Sequence, residues 1–150
     1  MERTLTFEDF EVGEVMESPS YTVTLEEALA FAKQYDPQYF HIDPEEAKTG
    51  PYGRLILSGW HTAAISMRLK AQTRLVNVKG GLLGLGLDKL RWPRASFPGD
   101  TFRVVITITG KRSSQSKPSH GIVNYSMRTM NQNGELAMEA ETAVWMPRRG

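Results

Sequence analysis

Asp36 and His41 stand five positions apart in "YDPQYFHIDPEEA" (35–47), with a proline, a glutamine and two aromatics between them. A carboxylate beside an imidazole can move protons near neutral pH, because neighbours and burial tune both groups. The connecting run is short enough to bring both side chains within reach of one water. The same spacing also serves an aspartate that ends its helix and a histidine that is a satisfied, half-buried polar residue. Spacing alone leaves both readings open.

Other chemistry-bearing residues carry less. His61 falls just inside the longest helical pattern and reads as packing or capping, and His120, in a turn flanked by serine and glycine, reads as solvated. The three histidines lack the spacing of a zinc motif such as H-E-x-x-H. There is no cysteine, which excludes disulfides, thiolate nucleophiles and cysteine-ligated zinc or iron–sulfur sites. "KGGLLGLG" (79–86) is glycine-rich, but no GK[ST] follows. Strand-like residues come next, not the helix whose N-terminus a phosphate loop requires. Trp60, Trp92 and Trp145 read as core or interface anchors rather than base-stacking platforms. Arg91 and Arg94 flank Trp92 and could meet a phosphate; an exposed strand end explains them equally well.

The formal net charge of +1 argues against a protein dedicated to nucleic acid. Basic residues cluster in "KRSSQSKP" (111–118) and "PRRG" (147–150). These are either a solvated loop and terminus or a handhold for phosphates on a small anionic ligand. The opening "MERTLTFEDFEVGEV" has no apolar h-region, and no apolar run approaches the roughly 20 residues of a membrane span. The expectation is a soluble, cytoplasmic protein without a cleaved signal peptide. At 150 residues, with no repeat or linker, the chain reads as one domain, 1–150.

The elements that must position Asp36 and His41 are legible on either side. "TLEEALAFAKQYD" (24–36) predicts a helix: Thr24 and Glu27 form a capping box, and Leu25, Ala28, Leu29 and Ala32 form one apolar face. Pro37 disfavours helical geometry at Asp36, so this helix stops there. Asp43 and Pro44 then cap and open a short helix through "EEAKTG". Asp36 to Phe40 is therefore expected as an irregular bridge between two helices. A long helix over "HTAAISMRLKAQTRLV" (61–76) comes next, with Gly59 and Trp60 at or just before its N-terminus. Its small-residue start suits packing under a sheet, and "RLKAQTR" suits solvent. Beyond residue 80, "LLGLGLDKLRW", "TFRVVITITGKR", "GIVNYSMRTMNQ" and "ELAMEAETAVWMP" predict four strands, punctuated by turns at "PGD" and "NQNGE". Helices first and antiparallel strands after define an α+β class, a sheet laid over a helix.

The combined pattern resembles the MaoC-like dehydratases and the related (R)-specific enoyl-CoA hydratases. Their signature, D-x-[NQ]-P-x-H-x-D followed by a glycine before a long helix, is met by Asp36, Gln38, His41 and Asp43 and then by Ala47, Tyr52, Gly53, Ile56 and Gly59. The likeness continues through "PGDTFRVVITITGKRSSQSKPSHGIV" and "NQNGEL" and spans nearly the whole chain. It implies a hot-dog fold, in which an antiparallel sheet wraps the long helix and the segment at 24–50 overhangs it and carries the active site. It also implies a homodimer with sites near the subunit interface.

The implied reaction is reversible addition of water to the double bond of a 2-enoyl thioester, most simply an acyl-CoA, with no metal or redox cofactor. Asp36 and His41 would hold and deprotonate the water and return a proton to C2. A backbone N–H at the N-terminus of the long helix would stabilise charge on the thioester oxygen, and Gly59 would let the substrate approach closely. Gln38 and Ser58 complete the implied substrate-binding set, Ser58 having the more ordinary role of a helix cap. Tyr39 stands where the signature has proline and could shape the acyl pocket. Met67 stands where some hydratases place a supporting serine, and Ser66, one residue earlier, faces about 100° away on an ideal helix. Two alternatives compete: a hot-dog thioesterase and a binding module that has lost its chemistry. The absence of an acid between His61 and Arg74 counts against the first; retention of both Asp36 and His41 counts against the second.

Overall fold

The computed structural model describes residues 2–150. Two short strands, β1 (Val15–Glu17) and β2 (Tyr21–Thr22), precede helix α1 (Leu25–Tyr35), a one-turn helix α2 (Tyr39–Ile42) and the long helix α3 (Gly59–Lys70). Four longer strands complete the chain: β3 (Leu83–Arg91), β4 (Thr101–Ser113), β5 (His120–Met130) and β6 (Leu136–Pro147). They lie within a residue or two of the expected strands. β1 and β2 are too short for an alternating pattern to be visible in the sequence.

All strands pair antiparallel in the order β1-β4-β5-β6-β3, with β2 also against β4. Alternation decides which face is inward. Phe102, Val104, Ile106 and Ile108 of β4 are buried at every second position, and they close on Ile65 and Leu69 of α3. The sheet thus wraps α3, as the hot-dog expectation requires. Gly121 of β5 makes room for Phe7 of the N-terminal segment: a Cβ there would lie 2.3 Å from the Phe7 ring.

Two expectations about α3 are corrected. The helix ends at Lys70 rather than running to residue 76, because the Thr73 hydroxyl takes the Lys70 carbonyl at 2.7 Å; a separate 3₁₀ turn, Arg74–Asn77, comes after it. Nor does the whole later part of α3 reach solvent. Leu69 and Lys70 are buried, and Lys70 Nζ donates to Tyr125 Oη at 2.9 Å inside the sheet. The basic tail is paired: Arg148 bonds Glu8 and Ser113, and Arg149 bonds Asp9.

β3 is an edge strand, bonded among the described residues only to β6 and interrupted by two bulges. Leu83, Leu85 and Leu87 are each more than half exposed on it. Trp60 and Met67, seven residues apart and so on one side of α3, are exposed as well. No helix of the described residues is long and apolar enough to cross a membrane.

Candidate active site

Asp36 closes α1. Thr24 caps the other end of the helix by accepting from the Glu27 N–H at 3.1 Å, and Ala28 and Ala32 bury its inner face. Only half of the expected capping box forms, because the Glu27 carboxylate is engaged elsewhere, with Tyr21 and His61. At the C-terminus Asp36 leaves helical geometry (φ −151°, ψ 68°) ahead of Pro37, while its N–H still donates to Ala32 O.

The bridge is not irregular throughout. With Gln38 extended, the His41 N–H returns to Gln38 O and the Asp43 N–H to Tyr39 O, making the single turn α2 that carries His41. Asp43 acts as the expected cap, its Oδ1 accepting from the amides of Glu45 and Glu46, but the element it caps is a 3₁₀ turn, Glu46–Thr49, rather than an α-helix.

These elements bring the predicted pair together. His41 Nε2 lies 3.3 Å from Asp36 Oδ2, and both side chains are largely buried. His41 Nδ1 is 2.7 Å from the Ile56 carbonyl oxygen, which can only accept, so Nδ1 carries the proton and Nε2 presents its lone pair. The Ile56 N–H in turn donates to Phe40 O at 3.0 Å. One residue's main chain thereby holds both the α2 backbone and the imidazole.

The Asp36 carboxylate is also constrained on both oxygens. Gln38 Nε2 donates to Oδ1 and Ser58 Oγ to Oδ2, each at 2.7 Å. Burial pushes the Asp36 carboxyl pKa up, but the hydrogen bonds from Gln38 and Ser58, together with the charge His41 carries whenever it is protonated, outweigh it. The net shift is below the ordinary aspartate value. Asp36 therefore remains a carboxylate throughout the neutral range.

Ser58 does two jobs. It is the N-cap of α3, accepting from the Trp60 N–H at 3.3 Å, and the buried donor to Asp36. The capping role was legible from sequence; the contact with Asp36, across 22 residues, was not. The amides of His61 and Thr62 return to Ser58 O, while the Gly59 N–H makes no hydrogen bond among the described residues.

Asp36, His41 and Gly59 share a cleft of about 290 Å³ whose apolar wall includes Phe40, Ile56, Trp60 and Trp92. Close approach at Gly59 is made by Trp92. A Cβ on residue 59 would fall 2.8 Å from the indole, and Trp92 Nε1 donates to Gly59 O at 2.9 Å. The expected approach of substrate to that face is thus taken by an aromatic ring, which stands edge-on to Trp60 at 5.4 Å. The second bulge of β3, with Lys89 in the left-handed region (φ 52°), precedes Trp92, and bulges re-aim the residues around them.

Tyr39 and Gln38 do not line this cleft. Tyr39 packs on Phe40 and Gly50, and Gln38 reaches the site only through Asp36. Met67 is exposed, and Ser66 is turned into the core, where it meets Thr129 Oγ1. Among the described residues no group of three or more His, Cys, Asp or Glu side chains could hold a metal ion.

A sheet rolled around one helix, with an acid–imidazole pair carried over the helix N-terminus, defines a hot-dog domain with a candidate proton-transfer site. The MaoC like domain model matches residues 9–131. The chain belongs to that family. The structure of the MaoC-like dehydratase from Rhodospirillum rubrum is 38% identical, with a TM-score of 0.87 over 98% of this chain and 99% of that one. The (R)-hydratase from A. caviae involved in PHA biosynthesis is 29% identical, with a TM-score of 0.73 over 92% and 98%. The 3-hydroxyacyl-thioester dehydratase Z of Mycobacterium tuberculosis H37Rv is 37% identical over 99 residues, 64% of either chain.

Proposed function

We propose that this protein is a hydratase/dehydratase that adds water reversibly across the double bond of a 2-enoyl thioester, with acyl-CoA as substrate and Asp36 and His41 as its catalytic pair. The observation that carries the reading is the convergence of Asp36 Oδ2 and His41 Nε2 in a cleft that also holds the N-terminus of α3. The names of its relatives, a 3-hydroxyacyl-thioester dehydratase and an (R)-hydratase, support the same chemistry in its two directions.

Each group has one task. Water bonds to the Asp36 carboxylate through one hydrogen and to His41 Nε2 through the other. As the water oxygen attacks C3, Nε2 takes a proton, which is then returned to C2, giving a 3-hydroxyacyl thioester. Negative charge that builds on the thioester oxygen meets the Gly59 N–H, reinforced by the α3 dipole; one such donor is worth on the order of 3 kcal/mol of barrier. The acyl chain lies along Phe40, Ile56, Trp60 and Trp92. The reaction so drawn uses water and this chain's own groups, and it involves neither nucleic acid nor membrane.

The working unit is a homodimer. A β3 edge that presents three exposed leucines supports pairing of two copies along β3, since an apolar edge strand invites a second strand. The test of function is loss of enoyl-thioester absorbance on a panel of 2-enoyl-CoAs, with free thiol followed in parallel. Absorbance loss without thiol is the expected result; thiol release would overturn the hydratase in favour of a thioesterase.

A further inference from the structure

His61 is buried at the first turn of α3, 4% exposed, on a helix whose neighbouring residues Trp60 and Thr62 line the cleft. It does not line the cleft itself. Its Nε2 donates to Glu27 Oε2 at 3.0 Å, and its ring stacks on Phe31 at 4.5 Å with 7° between the planes. Glu27 Oε1 accepts from Tyr21 Oη at 2.6 Å, and the Arg68 guanidinium lies over the Tyr21 ring at 4.8 Å. The His61 Nδ1 is buried and has no hydrogen-bond partner among the described residues.

Glu27, Phe31 and Asp36 are all carried by α1. Glu27 and Asp36 are about 13 Å apart along the helix axis at 1.5 Å per residue. The first turn of α3 therefore grips α1 at both ends, Ser58 on Asp36 and His61 on Glu27, with Phe31 laid against the imidazole between them. Core packing of Ala28 and Ala32 seats α1, and the Glu27–His61 bond adds a polar tie at the end of the helix that the Ser58–Asp36 contact does not reach. An imidazole serves here because it supplies, on one rigid ring, a donor for Glu27 and a flat face for Phe31.

The protonation state agrees with this role. Donation from Nε2 fixes the neutral tautomer with a bare Nδ1. A second proton would sit on Nδ1 with no acceptor, and burial lowers the His61 pKa despite the opposing effect of Glu27. His61 is thus held as a neutral strut rather than a proton carrier.

We propose that His61, acting through Glu27, is a positioning residue that aims Asp36 at the reacting water. The claim that this positioning serves hydration rests on the function proposed above; the claim that it sets the Asp36 environment does not. The test therefore has two readouts, the Asp36 carboxyl titration by carbon-13 NMR and steady-state kinetics on an enoyl-CoA.

In His61→Leu, with cooperative unfolding retained, the Asp36 pKa should rise toward the ordinary aspartate value as the Ser58 hydrogen bond loosens. kcat should fall about 10- to 100-fold with KM changed less than about 2-fold, the mark of lost alignment rather than lost binding. His61→Gln, whose amide can still donate to Glu27, should recover most of both. Glu27→Ala cuts the same link from its half-exposed side and decides the matter if His61→Leu does not fold. An unchanged Asp36 titration in a folded variant would overturn the proposal, as would a shifted titration with unchanged kcat. If the wild-type protein hydrates no enoyl-CoA, the hydration reading fails while the NMR titration still decides whether His61 positions Asp36.

Discussion

Ser58 Oγ donates to Asp36 Oδ2 at 2.7 Å, tying the cap of α3 to the residue that closes α1. A charge-assisted bond of this kind contributes about 1.5–3 kcal/mol when buried. It also fixes which lone pairs of the carboxylate stay available to a water. Ser58→Ala should lower stability by about 1–3 kcal/mol in urea unfolding and raise the Asp36 pKa. A mutant with wild-type stability and titration would show that the contact matters to neither.

Asp36 should be indispensable to turnover. Asp36→Asn keeps the shape and the acceptor for Ser58 but removes the charge. The enoyl-CoA assay should show kcat lower by at least about 100-fold, with circular dichroism unchanged. Unchanged activity would sink the assignment of the pair.

The same carboxylate makes stability depend on pH. Its folded pKa lies below its unfolded value, so its contribution is present in full above the unfolded pKa, near 3.9. That contribution is lost as pH falls through the lower, folded pKa. Denaturant unfolding between pH 6 and pH 2 should show a steeper acid loss for the wild type than for Asp36→Asn.

Lys70 is buried beside Tyr125 with no carboxylate partner among the described residues, and burial lowers its pKa, while the Tyr125 hydroxyl is pushed up to about 12. Between the lowered pKa and the unfolded value the native chain binds fewer protons at Lys70 than the unfolded chain. This group therefore makes stability rise with pH across that window. Lys70→Met, similar in length and uncharged, should be neutral or stabilising near pH 7 and should flatten the rise on the alkaline side. A loss of more than about 2 kcal/mol would mean that the ammonium–phenol bond outweighs the cost of burying the charge.

At Gly59 the decisive neighbour is an indole. Gly59→Ala places a methyl group 2.8 Å from Trp92. Relief by displacing the ring should cost about 1–3 kcal/mol, shift tryptophan emission and slow turnover. Along β3, Leu85→Lys should convert the proposed dimer to monomer in sedimentation runs, because a charge on an edge strand opposes pairing.

Much of the fold was legible because it rests on local chemistry. The pattern of β4 alternates without a break from Phe102 to Ile108, and Thr24, Asp43 and Ser58 each cap the turn directly after them. Pro37 marks the end of α1 in either description. What escaped the sequence was long-range or lay in the main chain. Nothing in the residue type of Ile56 signals that its carbonyl orients His41, and nothing near Trp92 signals that its ring will cover Gly59. His61 read as packing because its partner, Glu27, is 34 residues away on a helix where it read as part of its own cap. Charge alone places Lys70 in solvent, whereas its phenol partner lies 55 residues further along, on β5.

The carbonyl and amide of Ile56 hold His41 and its turn, while its side chain forms part of the cleft wall. The two duties fall on different atoms of one residue. Exchanging Ile56 for another apolar side chain can reshape the space offered to an acyl group without altering the tautomer of His41, whereas proline there would remove the amide that bonds Phe40. Under the proposed function, position 56 is thus a place where substrate range can drift over evolutionary time while the proton chemistry is inherited unchanged.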